Sequence, residues 1–225
     1  MRRPLYLQRG NAKLGVSIWT WSIPAVTGCG PAPSEYCERS CYAIAFRRFP
    51  SAMQAHERNH ELALDADVLR VELRLDLRSL PPGSVIRVHV AGDFFAVPYA
   101  RVWRDLFREF PGLTFYAYTR SWTDPALRRT LIAMQHAPNV RLWASSDWTM
   151  QAPPPNWLEA RVFRSIDDAR AAGYAVCPEQ LGAKASCEHC QLCWRVAPDS
   201  RFRLAFIDHG LLHRAGEGKH SSPAH

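Results

Sequence analysis

Short β-rich runs alternate with segments of helical period along most of this chain, and that alternation restricts it to the α/β class. The runs are Gly15–Trp21, Val85–Val90, Leu113–Tyr118, Val140–Ala144, Arg161–Arg164 and Phe202–Ile207, each bounded by Gly, Pro, Ser or Asp. Helical period fills the gaps. It runs through Tyr42–Asn59, then through Leu62, Ala66, Leu69, Leu73, Leu77 and Leu80 at three- and four-residue steps. A further helix carries Tyr99, Val102, Trp103, Leu106, Phe107 and Phe110 before Pro111-Gly112, another opens at Thr123-Asp124-Pro125, and Ile166–Gly173 is a short fifth. Strand–helix alternation of this kind predicts a parallel sheet with right-handed crossovers. Six units in 225 residues suit a partial (β/α)6 barrel-like parallel sheet, with an open doubly wound sheet as the alternative. The expected organisation is a barrel domain over 1–175 and 200–212, a small cysteine-rich C-terminal lobe over 176–199, and a disordered tail over 213–225.

Composition excludes several classes. The chain is 47% hydrophobic and 22% charged, and at this length it buries roughly 70% of the surface it exposes when unfolded, so it needs no crosslinks to hold a core. No apolar run approaches the roughly 20 residues that span a bilayer, and Met1–Gly10 has no stretch of signal-peptide character. A cytoplasmic location, with no membrane partner, is the expectation. In that reducing compartment seven cysteines in two tight groups, an odd number, point to metal rather than disulfides. The net charge of +7 is almost all arginine, since the lysines are Lys13, Lys184 and Lys219. It is compatible with a nucleic-acid partner and does not require one.

Cys29, Cys37 and Cys41 follow the first predicted strand with spacing C-x7-C-x3-C, and a helix starts at Tyr42. Three thiolates on a [4Fe–4S] cubane leave one iron open to an exogenous ligand. The alternatives are a zinc site completed by a histidine such as His56, or buried structural thiols. Cys177, Cys187, Cys190 and Cys193 read C-x9-C-x2-C-x2-C. Four thiolates complete a cubane or a tetrahedral zinc, and the overlapping two-residue gaps favour the cubane. His189, between two of these cysteines, is surplus to a complete ligand set.

In parallel α/β folds ligands sit beyond the carboxyl ends of the strands, and polar residues stand there in this sequence. Gly92-Asp93 follows the second strand, Arg120 the third, Ser145-Ser146-Asp147 the fourth and Asp208-His209 the sixth. Gly92 lets backbone approach a ligand, Arg120 is suited to clamping a carboxylate, and Ser145 with Asp147 suits a ribose. The bland alternatives are helix caps for Asp93 and Asp147, and solvated positions for Arg120 and His209. His89, inside the second strand, is expected in the core.

The three-cysteine loop after the first strand resembles the cluster site of the radical S-adenosylmethionine (radical SAM) superfamily, with wider spacing than the usual C-x3-C-x2-C. Ala91-Gly92-Asp93 resembles that superfamily's Gly-Gly-Glu motif, with Asp93 in place of the acid. A closer resemblance, over Pro24–Ala43 with Cys-Glu-Arg-Ser-Cys-Tyr-Ala at 37–43, Ala91–Phe95, Tyr118–Arg120 and the terminal cysteines, is to the phage-type gene product 88 family. The radical SAM resemblance implies a site-differentiated cluster on Cys29, Cys37 and Cys41 that reductively cleaves S-adenosylmethionine, supplied by an external electron donor, to start radical chemistry on an unknown substrate. It further implies contacts to the cosubstrate from Gly92, Asp93, Arg120, Ser145 and Asp147, and an auxiliary [4Fe–4S] cluster on the other four cysteines. The rival expectation is a zinc- or iron–sulfur-containing protein that binds nucleic acid or transfers electrons without this chemistry.

Overall fold

The computed structural model describes residues 3–30, 34–184 and 186–208. The strands are β1 (Gln8–Arg9), β2 (Trp19–Trp21), β3 (Val85–Val88), β4 (Thr114–Thr119), β5 (Val140–Ser146), β6 (Leu158–Phe163), β7 (Ala175–Val176) and β8 (Arg203–Ile207). Between them lie α1 (Glu35–Arg39), α2 (Pro50–Ala63), α3 (Ala66–Arg78), α4 (Val97–Glu109), α5 (Pro125–Gln135), α6 (Ile166–Ala171), α7 (Cys187–Cys190) and α8 (Leu192–Arg195), with a 3-10 helix over Tyr42–Arg48. All eight strands join one sheet in the order β1-β2-β3-β4-β5-β6-β8-β7. Only β1 against β2 is antiparallel; the other pairs are parallel. From β2 to β6 each strand lies beside its predecessor, without the reversal of order that marks a doubly wound sheet.

The sheet has two chemically different faces because side chains alternate along a strand. Ile86, Val88, Phe115, Ala117, Leu142 and Ala144 share one apolar cluster with Leu69, Leu73 and Leu77 of α3, Trp103 and Leu106 of α4, and Leu127 and Leu131 of α5. Helix boundaries follow local chemistry. Asp65 caps α3 by accepting from the amides of Asp67 and Val68, and Asp124 does the same for α5, whose first turn holds Pro125. The neighbouring residues on β3, β4 and β5 face the other way. There Tyr116 packs with Leu14, Ile18 and Trp194, while Trp143 packs with Leu158, Cys177 and Leu204. The segment carrying the second cysteine group therefore lies against the sheet: Trp194 meets Tyr116 at 5.3 Å between ring centroids.

The predicted strands are present with shifted ends, but the Tyr42–Asn59 run is divided at Phe49-Pro50 into a 3-10 helix and α2, and the Leu62–Leu80 stripe breaks at Leu64-Asp65, where Asp65 starts α3. Residues 15–18 stay outside β2 because the amide and hydroxyl of Ser17 donate to the Glu188 carboxylate at 3.0 and 2.6 Å. The short β1 and β7 carry no alternation that a sequence reading could detect. His89 lies just past β3 with φ of 65°; it is 3% exposed, and its Nε2 sits 2.7 Å from the Tyr99 hydroxyl. The tail over 213–225 and His209 lie outside the described residues. Among the described residues no helix is long and apolar enough to cross a membrane.

Two buried polar residues generate predictions. Asp76, fully buried, accepts from the amides of Leu5, Tyr6 and Leu7 at 2.8, 2.7 and 3.1 Å and so straps the N-terminal segment to α3. Asp76→Ala leaves those donors unpaired and is expected to cost about 3 kcal/mol in urea unfolding. Burial lowers the His89 imidazole from 6.5 to about 3. The unfolded chain binds this proton below pH 6.5 while the folded chain refuses it, so stability present above 6.5 falls as the pH drops, by up to roughly 1.4 kcal/mol per pH unit. His89→Asn, which tolerates the left-handed backbone, is expected to flatten that slope between pH 6 and 4.5 in thermal unfolding.

Candidate functional site

A cavity of about 580 Å³ lies along the face of the sheet not covered by α3, α4 and α5, here called the inner face, and extends to the carboxyl ends of β3, β4 and β5; both cysteine groups border it. Cys29, Cys37 and Cys41 line one side together with Gly92, Asp93, Arg120 and Ser145, and Cys177, Cys187 and Cys193 line another. Cys190 and the other three cysteines of its group surround a smaller adjoining cavity. All seven thiols are free.

The first cysteine loop is held by tight backbone contacts. Gly28 accepts from the Asp93 amide at 2.9 Å, and a Cβ on Gly28 would stand 2.6 Å from the Pro24 carbonyl. Gly92, at φ of 82°, has no room for a side chain either, since a Cβ would meet Ile23 at 2.2 Å. Ser34 caps α1, its Oγ accepting from the Cys37 amide at 3.0 Å. Burial pushes the Cys29 thiol up to about 11. The Cys37 thiol, raised first by its hydrogen bond to Cys41 and then by burial, donates to Cys41. Cys41 is lowered to about 6 by that bond, against burial and with help from the amides of Ala43 and Ile44.

The strand-end residues turn out to be partnered with one another. Asp93 accepts from Thr119 Oγ1 at 2.6 Å and from the amides of Phe94 and Arg120 at 2.7 Å each. It joins the exit of β3 to the exit of β4 and does not cap α4, whose cap position is Ala96. Burial raises its carboxyl and those hydrogen bonds partly offset the rise. Arg120 pairs with the fully buried Asp147 and also donates to Ser34 Oγ at 2.9 Å. The Ser34 hydroxyl donates to Asp147 at 2.5 Å, and Thr149 donates to the other Asp147 oxygen through its amide at 2.8 Å and its hydroxyl at 2.5 Å. Burial opposes ionisation of Asp147, but the hydrogen bonds from Ser34 and Thr149 and the Arg120 charge outweigh it and hold the carboxyl below its usual range. Asp147 therefore stands behind the cavity wall and reaches Cys37 through Ser34. Ser145 and Asp208 face the cavity from the ends of β5 and β8.

The second group is folded onto the sheet by long-range contacts. The Cys177 amide donates to Ala205 at 2.9 Å, and Gln180 grips the Ile207 backbone in both directions, at 3.1 and 2.9 Å. The amides of Cys187 and Glu188 donate to the carbonyls of Lys13 and Leu14 at 2.8 and 2.9 Å. The Trp143 indole donates to the Cys193 carbonyl at 2.9 Å. Gln191, left-handed at φ of 60°, breaks the segment into α7 and α8. Burial pushes the Cys193 thiol up to about 12, partly offset by a hydrogen bond from Tyr118. His189 is engaged with Ser186 at 2.7 Å. His56 is packed against Phe46 in the interior and is not part of the cavity lining.

Arg87, Tyr116 and Tyr118 also line the cavity, and the sequence reading missed them. The available signal was a lone charge in the otherwise apolar Val85-Ile86-Arg87-Val88, at the parity opposite to the helix-covered face. Ser34, the residue that ties the cysteine loop to Arg120 and Asp147, carries no comparable signal beyond its cap position. Among the described residues no three His, Cys, Asp or Glu side chains converge closely enough to chelate a single ion.

Fold and site together define an α/β protein with a mostly parallel sheet, whose inner-face cavity is bordered by two cysteine groups. The chain belongs to the gene product 88 family, whose sequence pattern matches residues 5–196. It is similar to the Gene 88 protein of Mycobacterium phage D29, 28% identical over 220 residues, covering 82% of this chain and 85% of the relative. The Gene 88 protein of Mycobacterium phage L5 is likewise 28% identical over 221 residues, with the same coverage of 82% and 85%. No solved structure matches.

Removing Asp147 strands the Arg120 guanidinium, only 14% exposed, without a counter-charge. Asp147→Ala is expected to cost about 3–5 kcal/mol and to speed proteolysis within residues 34–41, read by thermal unfolding and by mapping the first cleavage sites.

Proposed function

We propose that Cys29, Cys37 and Cys41 hold a [4Fe–4S] cluster with one iron open to the cavity, and that this open position is where S-adenosylmethionine is chelated for reductive cleavage. Cys177, Cys187, Cys190 and Cys193 hold a second, fully ligated cluster in this reading. The observation that carries it is the arrival of three free thiols from one loop at the edge of a cavity of about 580 Å³ at the strand ends. The donor set fits the group, since a cubane takes one sulfur per iron and a trio leaves one corner available. When bound, the cluster supplies the electron, drawn from an external donor, that breaks a carbon–sulfur bond of the cosubstrate.

The chain's own residues prepare that site. Cys41 accepts from Cys37, and the amides of Ala43 and Ile44 also favour its ionised form. Ser34, held between Arg120 and Asp147, fixes the turn that presents Cys37. Asp93 and Arg120 act on the cosubstrate mainly as positioning residues, because their polar atoms already bind Thr119, Asp147 and Ser34. Ser145 offers a hydroxyl suited to a ribose, and Tyr118 and Phe206 wall the cavity with apolar surface that excludes water.

Anaerobic purification is expected to give a brown protein with about eight iron and eight sulfide per chain, the count for two cubanes. Its paramagnetic resonance spectrum is expected to change on adding S-adenosylmethionine, and dithionite to release 5′-deoxyadenosine or methylthioadenosine. Triple replacement Cys29→Ala, Cys37→Ala, Cys41→Ala is expected to abolish release and retain about half the iron. A colourless protein with zinc, or a brown one releasing neither nucleoside, would overturn the reading.

A further inference from the structure

Three cations border the main cavity, and two of them are neutralised within the chain. Lys13 pairs with Glu179 at 2.8 Å, and Arg120 pairs with Asp147. Arg87 makes no ion pair among the described residues. Its guanidinium lies 5.4 Å from the Tyr118 ring centroid, and the groups acting on it are the phenols of Tyr42, Tyr116 and Tyr118 and the Cys187 thiol. None of the three phenols is an anion at neutral pH, since burial raises each above its ordinary value. The Tyr116 hydroxyl, on a residue only 2% exposed, lies against the Arg87 side chain, yet neither that hydroxyl nor the buried Arg87 Nε has an acceptor in good hydrogen-bond geometry among the described residues.

A desolvated guanidinium without a counter-charge is strongly unfavourable, and unpaired buried donors add to the cost. A ligand that brings an oxyanion removes both penalties at once, because a guanidinium edge and a phenol can donate to the same carboxylate or phosphate. Tyr118 and Phe206, 5.5 Å apart between ring centroids, supply an apolar wall beside that spot.

We infer that Arg87 and Tyr116 form an anion subsite, so that the molecule taken into this cavity is a small compound carrying a carboxylate or phosphate beside a flat or apolar body. Calling that molecule the substrate rests on the proposed function; the binding itself does not.

Anaerobically purified protein is titrated by calorimetry with benzoate, phenyl phosphate and neutral benzamide. At least one anion is expected to bind, with benzamide at least tenfold weaker, and the tighter anion distinguishes carboxylate from phosphate. Arg87→Gln is expected to weaken anion binding at least tenfold. Tyr116→Phe, which keeps the ring against Trp194, is expected to weaken it about threefold and remains informative if Arg87→Gln fails to fold. The inference is overturned if neither anion binds, if benzamide binds as well as the anions, or if the substitutions leave anion affinity unchanged. Lower iron content in Arg87→Gln, without anion binding to the parent, also overturns it and makes Arg87 a counter-charge to the metal group. Nucleoside release from the parent protein is measured in parallel: anion binding without release overturns the proposed function and keeps the subsite, and release without anion binding does the reverse.

Discussion

A sheet wound strand beside strand has one face covered by its helices and must find cover for the other, and the rest of this molecule follows from that requirement. α3, α4 and α5 bury Ile86, Phe115, Leu142 and their neighbours. Tyr116, Tyr118 and Trp143 on the opposite face would otherwise meet water. Their cover comes from two connections near the ends of the chain, the β1–β2 loop holding Leu14 and Ile18 and the β7–β8 segment holding Cys187, Cys193 and Trp194. Because that second segment is the cysteine-rich one, covering the inner face and bringing the two thiol groups to one cavity are the same event. Apolar cover fills only part of the face, and the remainder is the cavity.

The rim of that cavity is stiffened by polar contacts that run between strand exits. Asp93 ties β3 to β4, and Asp147 ties β5 to both Arg120 and Ser34. Left-handed backbone at His89 and Gly92 turns the chain sharply out of β3, where Ile23 leaves Gly92 no space for a side chain. Such geometry is kept where the surroundings over-determine it. Here the surroundings include the loop that carries Cys29.

Much of this was legible in the sequence where the signal is local. Strand runs such as Val140–Ala144 and the apolar stripe of α4 announce themselves by period, and Asp124-Pro125 marks the start of α5. The placement of Asp93, Arg120 and Ser145 at one end of the sheet followed from the strand-end rule. Their pairing did not, because whether Arg120 faces a ligand or Asp147 depends on a contact across 27 residues. The packing of Trp194 on Tyr116 was equally hidden: it joins positions far apart in the chain through ring contact alone. Arg87 shows the limit most clearly, since a single arginine in an apolar strand marks the inner face and says nothing of whether a carboxylate awaits it.

The Glu188 grip on Ser17 and the amide bonds from Cys187 and Glu188 to Lys13 and Leu14 join parts of the chain that are synthesised at opposite times. Contacts of such long sequence separation close last in folding. The thiols of the first loop therefore leave the ribosome well before the cover arrives, with the sheet's aromatic inner surface still open beside them. Any loading of metal into that loop has its widest access in this interval, and completion of the C-terminal portion shuts the door behind it.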